Sequence, residues 1–536
     1  MTSGSNPDQL SSAAAAHSQP RKRGRGRRRR TADAGQAGAG GPGGIDQREF
    51  AQPVRHTAPV ELLSADQIET IHHESLRVLS EIGIKVLHEE ARQIMSAHGA
   101  ELCDDQFVRF APELINTQIA SIPSTFTLHA RNPAHSVQFG GDAMMFAMMA
   151  SAPNSSCLEH GRRTGNAEDY QNFLRLSQMH NIIHVNGGYP VEPIDRHASV
   201  RHLDCVHDLI TLTDKAYCIY SLGAQRNIDA LELTRIAHGL STDEFRQQPS
   251  VFTIINTNSP LQLDIPMMQG IIEMARAGQP SVITPFTLAG AMPPVSIAGA
   301  LVLQNAEALA GLAFTQMVAP GSPAVYGGFT SNVDMKSGSP AFGTPEYMQA
   351  QHAGGQLARY YRIPYRSSNV CAANTVDAQA AYESAFSLWG VVNGGANLVM
   401  HAAGWMEGGL CCSYEKIMLD IDMLQMVGEF LRPLDISTDT MAFDAIREVG
   451  PGGHFFGTEH TQQRYKTAFY SPLLSDWRNY ESWDEAGRPD AMKAANRLWK
   501  QRLQQYEQPP LDAAIAEELN DYVNRRKREG GVATDF

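Results

Sequence analysis

The chain has 536 residues, 43% hydrophobic and 8% aromatic, which is enough for a large core and ordinary for a globular protein. No apolar run reaches about 18 residues without polar interruption and the N-terminus has no apolar leader-like segment, so no membrane association or export is expected; seven scattered cysteines (Cys103, Cys157, Cys205, Cys218, Cys371, Cys411, Cys412) fit a reducing cytoplasm. The net charge of −13 divides into +6 for residues 1–45 and −19 for the rest, and so acidic a body argues against a nucleic-acid partner.

In chain order, residues 1–45 hold the basic run Arg21 to Arg30 among Ser, Ala, Gly and Pro, and read as a disordered, solvated tail. Residues 46–64, with Pro53 and Pro59, read as a linker. Asp66 to Gly83 reads as a helix capped by Ser64 or Asp66, with Ile68, Ile71, Leu76, Leu79 and Ile82 at helical spacing. A second helix over Glu89–His98 stops at Gly99. Val108–Phe110, Phe126–Ala130 and Ser136–Phe139 alternate like strands and are separated by Pro112, Pro123 and Pro133. Residues 46–142 therefore form an N-terminal α+β cap.

Between residues 143 and 431, eight short apolar runs alternate with eight longer stretches of helical spacing. The runs are Ala143–Met149, Ile182–Gly188, Ala216–Leu222, Val251–Thr257, Ser281–Phe286, Ala324–Phe329, Tyr365–Val370 and Asn397–Ala402. Eight such βα units predict an α/β protein with a closed (β/α)8 TIM barrel. Residues 432–536 form a helical extension that packs on the barrel or on another copy. It opens with a connection at Phe443–Gly453, and helices follow at Thr458–Tyr465, Asp490–Leu503 and Leu511–Gly530. A homo-oligomer is expected, as for many large barrels.

A barrel places its chemistry at the C-terminal strand ends. Those ends carry no lysine for a Schiff base, no early His-x-His pair and no glycine-rich phosphate cradle. They do carry Tyr189, Asn256, Phe286, Phe329, Asn369, His401, Trp405 and Glu407, with Arg196 in the loop after the second strand. Aromatic faces with one carboxylate suit an organic cation. His401 and Glu407 are the candidate catalytic groups, and the aromatic and amide residues with Arg196 the candidate substrate contacts. Glycines 404, 408 and 409 leave room around Trp405. Vicinal Cys411 and Cys412 lack a clear set of further ligands, so no metal of its own is expected.

Long segments of the chain resemble one family. They include Glu192-Pro193-Ile194-Asp195, Asn256-Thr257-Asn258-Ser259-Pro260-Leu261, Gly338 to Glu346, Asp377 to Glu383, and Gly452 through Thr461 to Trp477. In these the sequence is similar to the trimethylamine methyltransferase family, from about residue 20 onward. The resemblance implies a (β/α)8 barrel that transfers a methyl group from a methylated amine to the cobalt of a corrinoid (cobalamin) carried by a separate corrinoid protein. Trimethylamine-specific relatives carry pyrrolysine near the seventh strand. Here the stretch Ser367 to Asn374 holds only standard residues, which points to relatives without pyrrolysine that act on quaternary amines such as glycine betaine. The eighth-strand histidine borders the substrate in those relatives, and His401 is the matching position. Arg162, Arg163 and Arg196 are candidates for the betaine carboxylate. Two alternatives stay open: a trimethylamine methyltransferase working without pyrrolysine, and a binding protein that kept the barrel without the transfer.

Overall fold

The structure, a computed structural model, describes residues 47–104 and 106–533. The arginine run at 21–30 lies outside the described residues. Eight strands close a parallel barrel: β1 (Met145–Met148), β2 (Val185–Asn186), β3 (Ala216–Tyr220), β4 (Phe252–Ile255), β5 (Ser281–Ile283), β6 (Ala324–Gly327), β7 (Tyr365–Ser368) and β8 (Leu398–Ala403). Each falls within or overlaps one of the eight apolar runs. The seam closes where Met145 pairs with Leu398 and Phe146 with Val399. Eight helices follow the strands: α1 (Ala167–Met179), α2 (Arg201–Leu212), α3 (Ala224–Ala237), α4 (Ile265–Arg276), α5 (Ile297–Val318), α6 (Pro345–Tyr361), α7 (Ala378–Gly394) and α8 (Tyr414–Phe430).

Alternation along the strands sends one set of side chains inward. Met145, Ala147, Ala216, Cys218, Phe252, Val282, Val325, Leu398 and Met400 form an inner cluster. An antiparallel pair, Thr125–Leu128 with Val137–Gly140, adds Leu128, Val137 and Phe139 to it. Phe139 packs edge-on against Phe252, so this pair plugs the end opposite the catalytic mouth. The other set packs against the helices and makes the larger outer core. Only α5 is long and apolar enough to cross a membrane among the described residues, but it is interrupted by Gln304, Asn305 and Glu307 and is largely buried in the fold.

The first helix, Ala65–Arg77, starts at a Ser64 capping box and runs on as a π-helical turn through Ile82. Two features of the N-terminal region differ from the expectation. Pro112 opens a helix, Pro112–Ile119, rather than only separating strands, because proline is well placed in a first helical turn. Ile84–Val86, too short to show alternation, pairs with Phe107–Arg109 and also with Gln262–Leu263 from the loop after β4. In the C-terminal region, the stretch read as a connection contains a helix, Phe443–Val449, ahead of Gly450. Helix Ala491–Gln504 packs on α8 and α1, where Asn496 and the Trp499 indole N–H donate to Glu415. Helix Ala513–Arg528 packs on α3 and α2. Asp229 there accepts from Tyr522 (2.8 Å), Arg526 (2.8 Å) and His202.

Candidate active site

At the C-terminal ends of the strands lies a cavity of about 380 Å³. Two small sheets above the barrel carry its aromatic walls. Phe286–Ala289 and Phe329–Val333, from the loops after β5 and β6, pair in parallel with Phe286 opposite Phe329. On the other side Trp405–Met406 pairs with Cys411–Ser413. That strand pairs in turn with Asn154–Cys157, which pairs with Gly161–Thr164 from the loop after β1. The Phe286 and Phe329 rings lie 5.0 Å apart, Phe329 and Trp405 6.1 Å, and Trp405 and His401 4.2 Å. Gly409 sits against the Trp405 indole so closely that a Cβ would lie 2.8 Å from the ring, with φ at +101°. The space that glycine leaves is therefore filled by the indole itself. Asn256 also lines the cavity. Its loop is held by the buried Glu307 of α5, which accepts from Ser259 (2.6 Å), the Leu261 N–H (2.7 Å) and Thr257.

Strict alternation on β8 would point His401 away from Met400 and out of the barrel. The ladder slips between Val399 and Ala403, and His401 takes a φ of +56°. This bulge turns the imidazole into the cavity. Its Nδ1 accepts the Ala150 N–H at 3.3 Å. Burial, reinforced by the nearby Arg366 cation, holds its pKa well below the usual 6.5, so the ring is neutral. A neutral ring accepting at Nδ1 carries its proton on Nε2. Nε2 lies 3.4 Å from Arg366 Nη2.

Arg366 was not among the expected site residues. It is the inward-facing residue of β7, fully buried, with its guanidinium 5.4 Å over the Phe329 ring. Burial pushes its pKa down to about 10, which leaves it a cation at neutral pH. Its Nε and Nη1 have no hydrogen-bond partner, and neither does the Trp405 Nε1. Among the described residues, no carboxylate lines the cavity. Arg366, His401 and Trp405 thus bring a buried cation, a neutral imidazole and an indole to the wall of one cavity whose lining holds no counter-charge. A bound anionic group would balance the Arg366 charge.

Of the expected residues, the structure brings Asn256, Phe286, Phe329, His401 and Trp405 together around the cavity. The other four lie outside its lining. Tyr189 stands behind the wall, its ring 4.3 Å from that of Tyr220, and Tyr220 is the tyrosine that lines the cavity. Asn369 donates to the Ala402 carbonyl between β7 and β8. Glu407 pairs with Arg162 at 2.8 Å. Arg196 pairs with Asp208 at 2.6 Å, and Arg163 with Asp169 at 2.6 Å. All three arginines offered for a substrate carboxylate are thus already paired. The charge sits instead on a strand interior, where an arginine between Tyr365 and Ser367 would have been the signal.

Residues 22–531 match the family model for trimethylamine methyltransferase (MTTB). The chain belongs to the trimethylamine methyltransferase family. It is 36% identical over 88% of its length to a glycine betaine methyltransferase of Desulfitobacterium hafniense (strain Y51), of which it covers 98%. It is 30% identical over 88% of its length to the trimethylamine methyltransferase MttB of Desulfitobacterium hafniense (strain DSM 10664 / DCB-2), of which it covers 95%. In fold it is similar to the monomethylamine methyltransferase MtmB of Methanosarcina barkeri, with a TM-score of 0.50 and 10% identity over 84% of this chain and 90% of that one. As a member of this family the protein is a methyltransferase.

Proposed function

We propose that this methyltransferase takes a methyl group from a zwitterionic quaternary amine of the glycine betaine type and delivers it to a corrinoid held by a partner protein. The observation that carries the reading is Arg366, a buried, unpaired cation beside an aromatic wall. A quaternary ammonium fits the faces of Phe286, Phe329, Trp405 and Tyr220. A carboxylate fits the donors of Arg366 and His401. One ligand that carries both groups answers both halves of the cavity. The similarity to the glycine betaine methyltransferase supports the same choice.

In the transfer the C–N bond breaks, its electron pair stays on nitrogen, and a neutral tertiary amine leaves with no proton required. The corrinoid supplies a Co(I) nucleophile that accepts the methyl group. The chain's own residues bind and orient. Arg366 and His401 fix the carboxylate end, and the aromatic walls hold the ammonium with a methyl directed outward. Positive charge on nitrogen falls toward the transition state, so polarisable ring faces hold the substrate without the over-stabilisation that a carboxylate cage would bring. The mouth suits a flat macrocycle and its carrier: Leu158, Ile194, Leu222, Val295, Met335 and Leu410, on the loops after β1, β2, β3, β5, β6 and β8, are all exposed.

The test is methyl transfer in vitro, with purified protein, reduced cobalamin and a panel of betaines, choline and trimethylamine, followed by the corrinoid absorbance. Turnover with betaines ahead of choline and trimethylamine is expected. Turnover with trimethylamine alone would replace this reading with the tertiary-amine one, and tight betaine binding without transfer to any corrinoid protein would favour a binding protein. Trp405→Leu is expected to raise KM for glycine betaine roughly 2- to 30-fold, the range of about 0.5–2 kcal/mol for a cation on an aromatic face. An unchanged KM would remove Trp405 from the ammonium site.

The pH profile separates the same alternatives. The His401 pKa is lowered, so the ring stays neutral as pH falls through the ordinary 6.5 and is charged only at lower pH, at a cost to stability. The rate on a quaternary amine is therefore expected to be flat between about pH 6 and 8. A steep rise toward acid would show that His401 donates a proton, as activation of a tertiary amine requires.

A further inference from the structure

A second cavity, of about 440 Å³, lies at the plugged end of the barrel and shares no lining residue with the catalytic one. Its wall draws on three segments that are distant in the chain. His129, Arg131 and Ser136 come from the connection between the two plug strands. His238, at the end of α3, and Gln248 both precede β4. Leu511, Asp512 and Ile515 belong to the start of the last helix, Ala513–Arg528, and its approach. Half of the wall is apolar, made by Ala130, Pro133, Ala237, Leu240, Leu511 and Ile515.

The polar half of the wall is short of an anion. Arg131 donates from Nη2 to the Thr213 carbonyl at 3.1 Å and from Nη1 to the Pro510 carbonyl, both uncharged acceptors, and its buried Nε has no hydrogen-bond partner among the described residues. Burial lowers its pKa against the opposing pull of Asp214. That carboxylate is committed elsewhere: it pairs with His135 at 2.6 Å and accepts from Gln178 (2.8 Å) and Asn132 (3.0 Å). The buried Nε2 of His238 also has no partner, and burial, then the neighbouring His129 and Arg131, push its pKa down to about 4. Asp512 is the one carboxylate in the lining among the described residues, and it accepts the Ala514 N–H (2.9 Å) and the Ile515 N–H (3.2 Å) of the helix it caps.

We infer that this cavity binds a small organic monocarboxylate with an apolar body, its carboxylate beside Arg131 and His238 and its body against the side of Leu511 and Ile515. Three features select that class. Arg131 is the single permanent cation in the lining among the described residues, which matches a monoanion and falls short of a phosphate dianion. The buried nitrogens without partners call for a hydrogen-bonding group, which a hydrocarbon lacks. The apolar half of the wall calls for more than an inorganic ion.

Isothermal titration calorimetry of the full chain with benzoate, benzamide and inorganic phosphate tests the site. The catalytic cavity holds a cation of its own, so both wild type and Arg366→Leu are titrated, and binding that survives in Arg366→Leu is independent of the methyl-transfer reading. Benzoate is expected to bind Arg366→Leu at one site, with benzamide and phosphate at least roughly 10-fold weaker. Arg131→Gln removes the charge, and His238→Phe removes the ring nitrogens at similar volume. Each is expected to weaken benzoate binding about 10- to 100-fold, the range for a hydrogen bond to a charged group. Arg131 also ties the Thr213 and Pro510 carbonyls, so His238→Phe, made in wild type as well as in Arg366→Leu, keeps the test decisive if Arg131→Gln does not fold. No benzoate binding to Arg366→Leu, benzamide binding as tight as benzoate, phosphate ahead of benzoate, or a benzoate affinity in Arg366→Leu that His238→Phe leaves unchanged would each overturn the assignment.

Discussion

Replacing Arg366 by leucine is expected to lower kcat/KM for glycine betaine by about 10²- to 10³-fold, corresponding to roughly 3–4 kcal/mol for a buried charge-assisted contact. The loss should be selective. A ligand without a carboxylate, such as tetramethylammonium or choline, gains from removal of the cation, because a buried guanidinium over the Phe329 ring repels it. Competition binding of tetramethylammonium and glycine betaine to wild type and Arg366→Leu would measure the switch. Arg366→Lys should recover part of the betaine activity and none of the two-point geometry, since an ammonium cannot reproduce the fork. Equal losses for both ligands would mean that Arg366 only supports the fold.

The second large effect is expected at Asp420. Its carboxylate is fully buried, pairs with the fully buried Lys416 one turn earlier on α8, and accepts the Gly404 N–H at 2.8 Å. Lys416 also donates to Ser384 of α7 at 2.7 Å. Asp420→Ala would leave the lysine charge buried without a counter-charge, a change that costs about 3–5 kcal/mol. A large fall in the urea midpoint is expected. Part of it should return in the double variant Lys416→Met with Asp420→Leu, which removes both charges. Because Gly404 precedes Trp405, the single variant should also weaken betaine binding more than its loss of stability alone predicts. A single variant as stable as wild type would contradict this account.

The barrel was legible because its signal is repetitive. Eight apolar runs separated by helical stretches leave few other architectures, and small errors at strand ends do not change the count. The site was legible only in part, and the reason lies in geometry that alternation does not encode. His401 reaches the cavity through a bulge, so its inward aim follows from one left-handed residue rather than from its place on the strand. Arg366 is obscured in the sequence for the opposite reason: it obeys alternation, but a charge inside a barrel strand reads as a break in a hydrophobic run. Tyr189 and Glu407 stand at strand ends, as the barrel rule asks, yet one ring backs Tyr220 and the other side chain turns to Arg162. Which strand-end residue faces the ligand depends on the small sheets above the barrel. Their strands, such as Trp405–Met406, are too short to show a period.

Those upper sheets have a consequence for the energetics of recognition. The loops after β5 and β6 are hydrogen-bonded to each other, and so are the loops after β1 and β8. Backbone order around Phe286, Phe329 and Trp405 is therefore acquired when the protein folds, not when a ligand arrives. Little conformational entropy remains to be lost on binding, and the affinity for a ligand of few atoms can approach what its contacts allow. Calorimetry would register this as a small heat-capacity change set by the ligand's own apolar surface, well below that of a loop folding around its ligand.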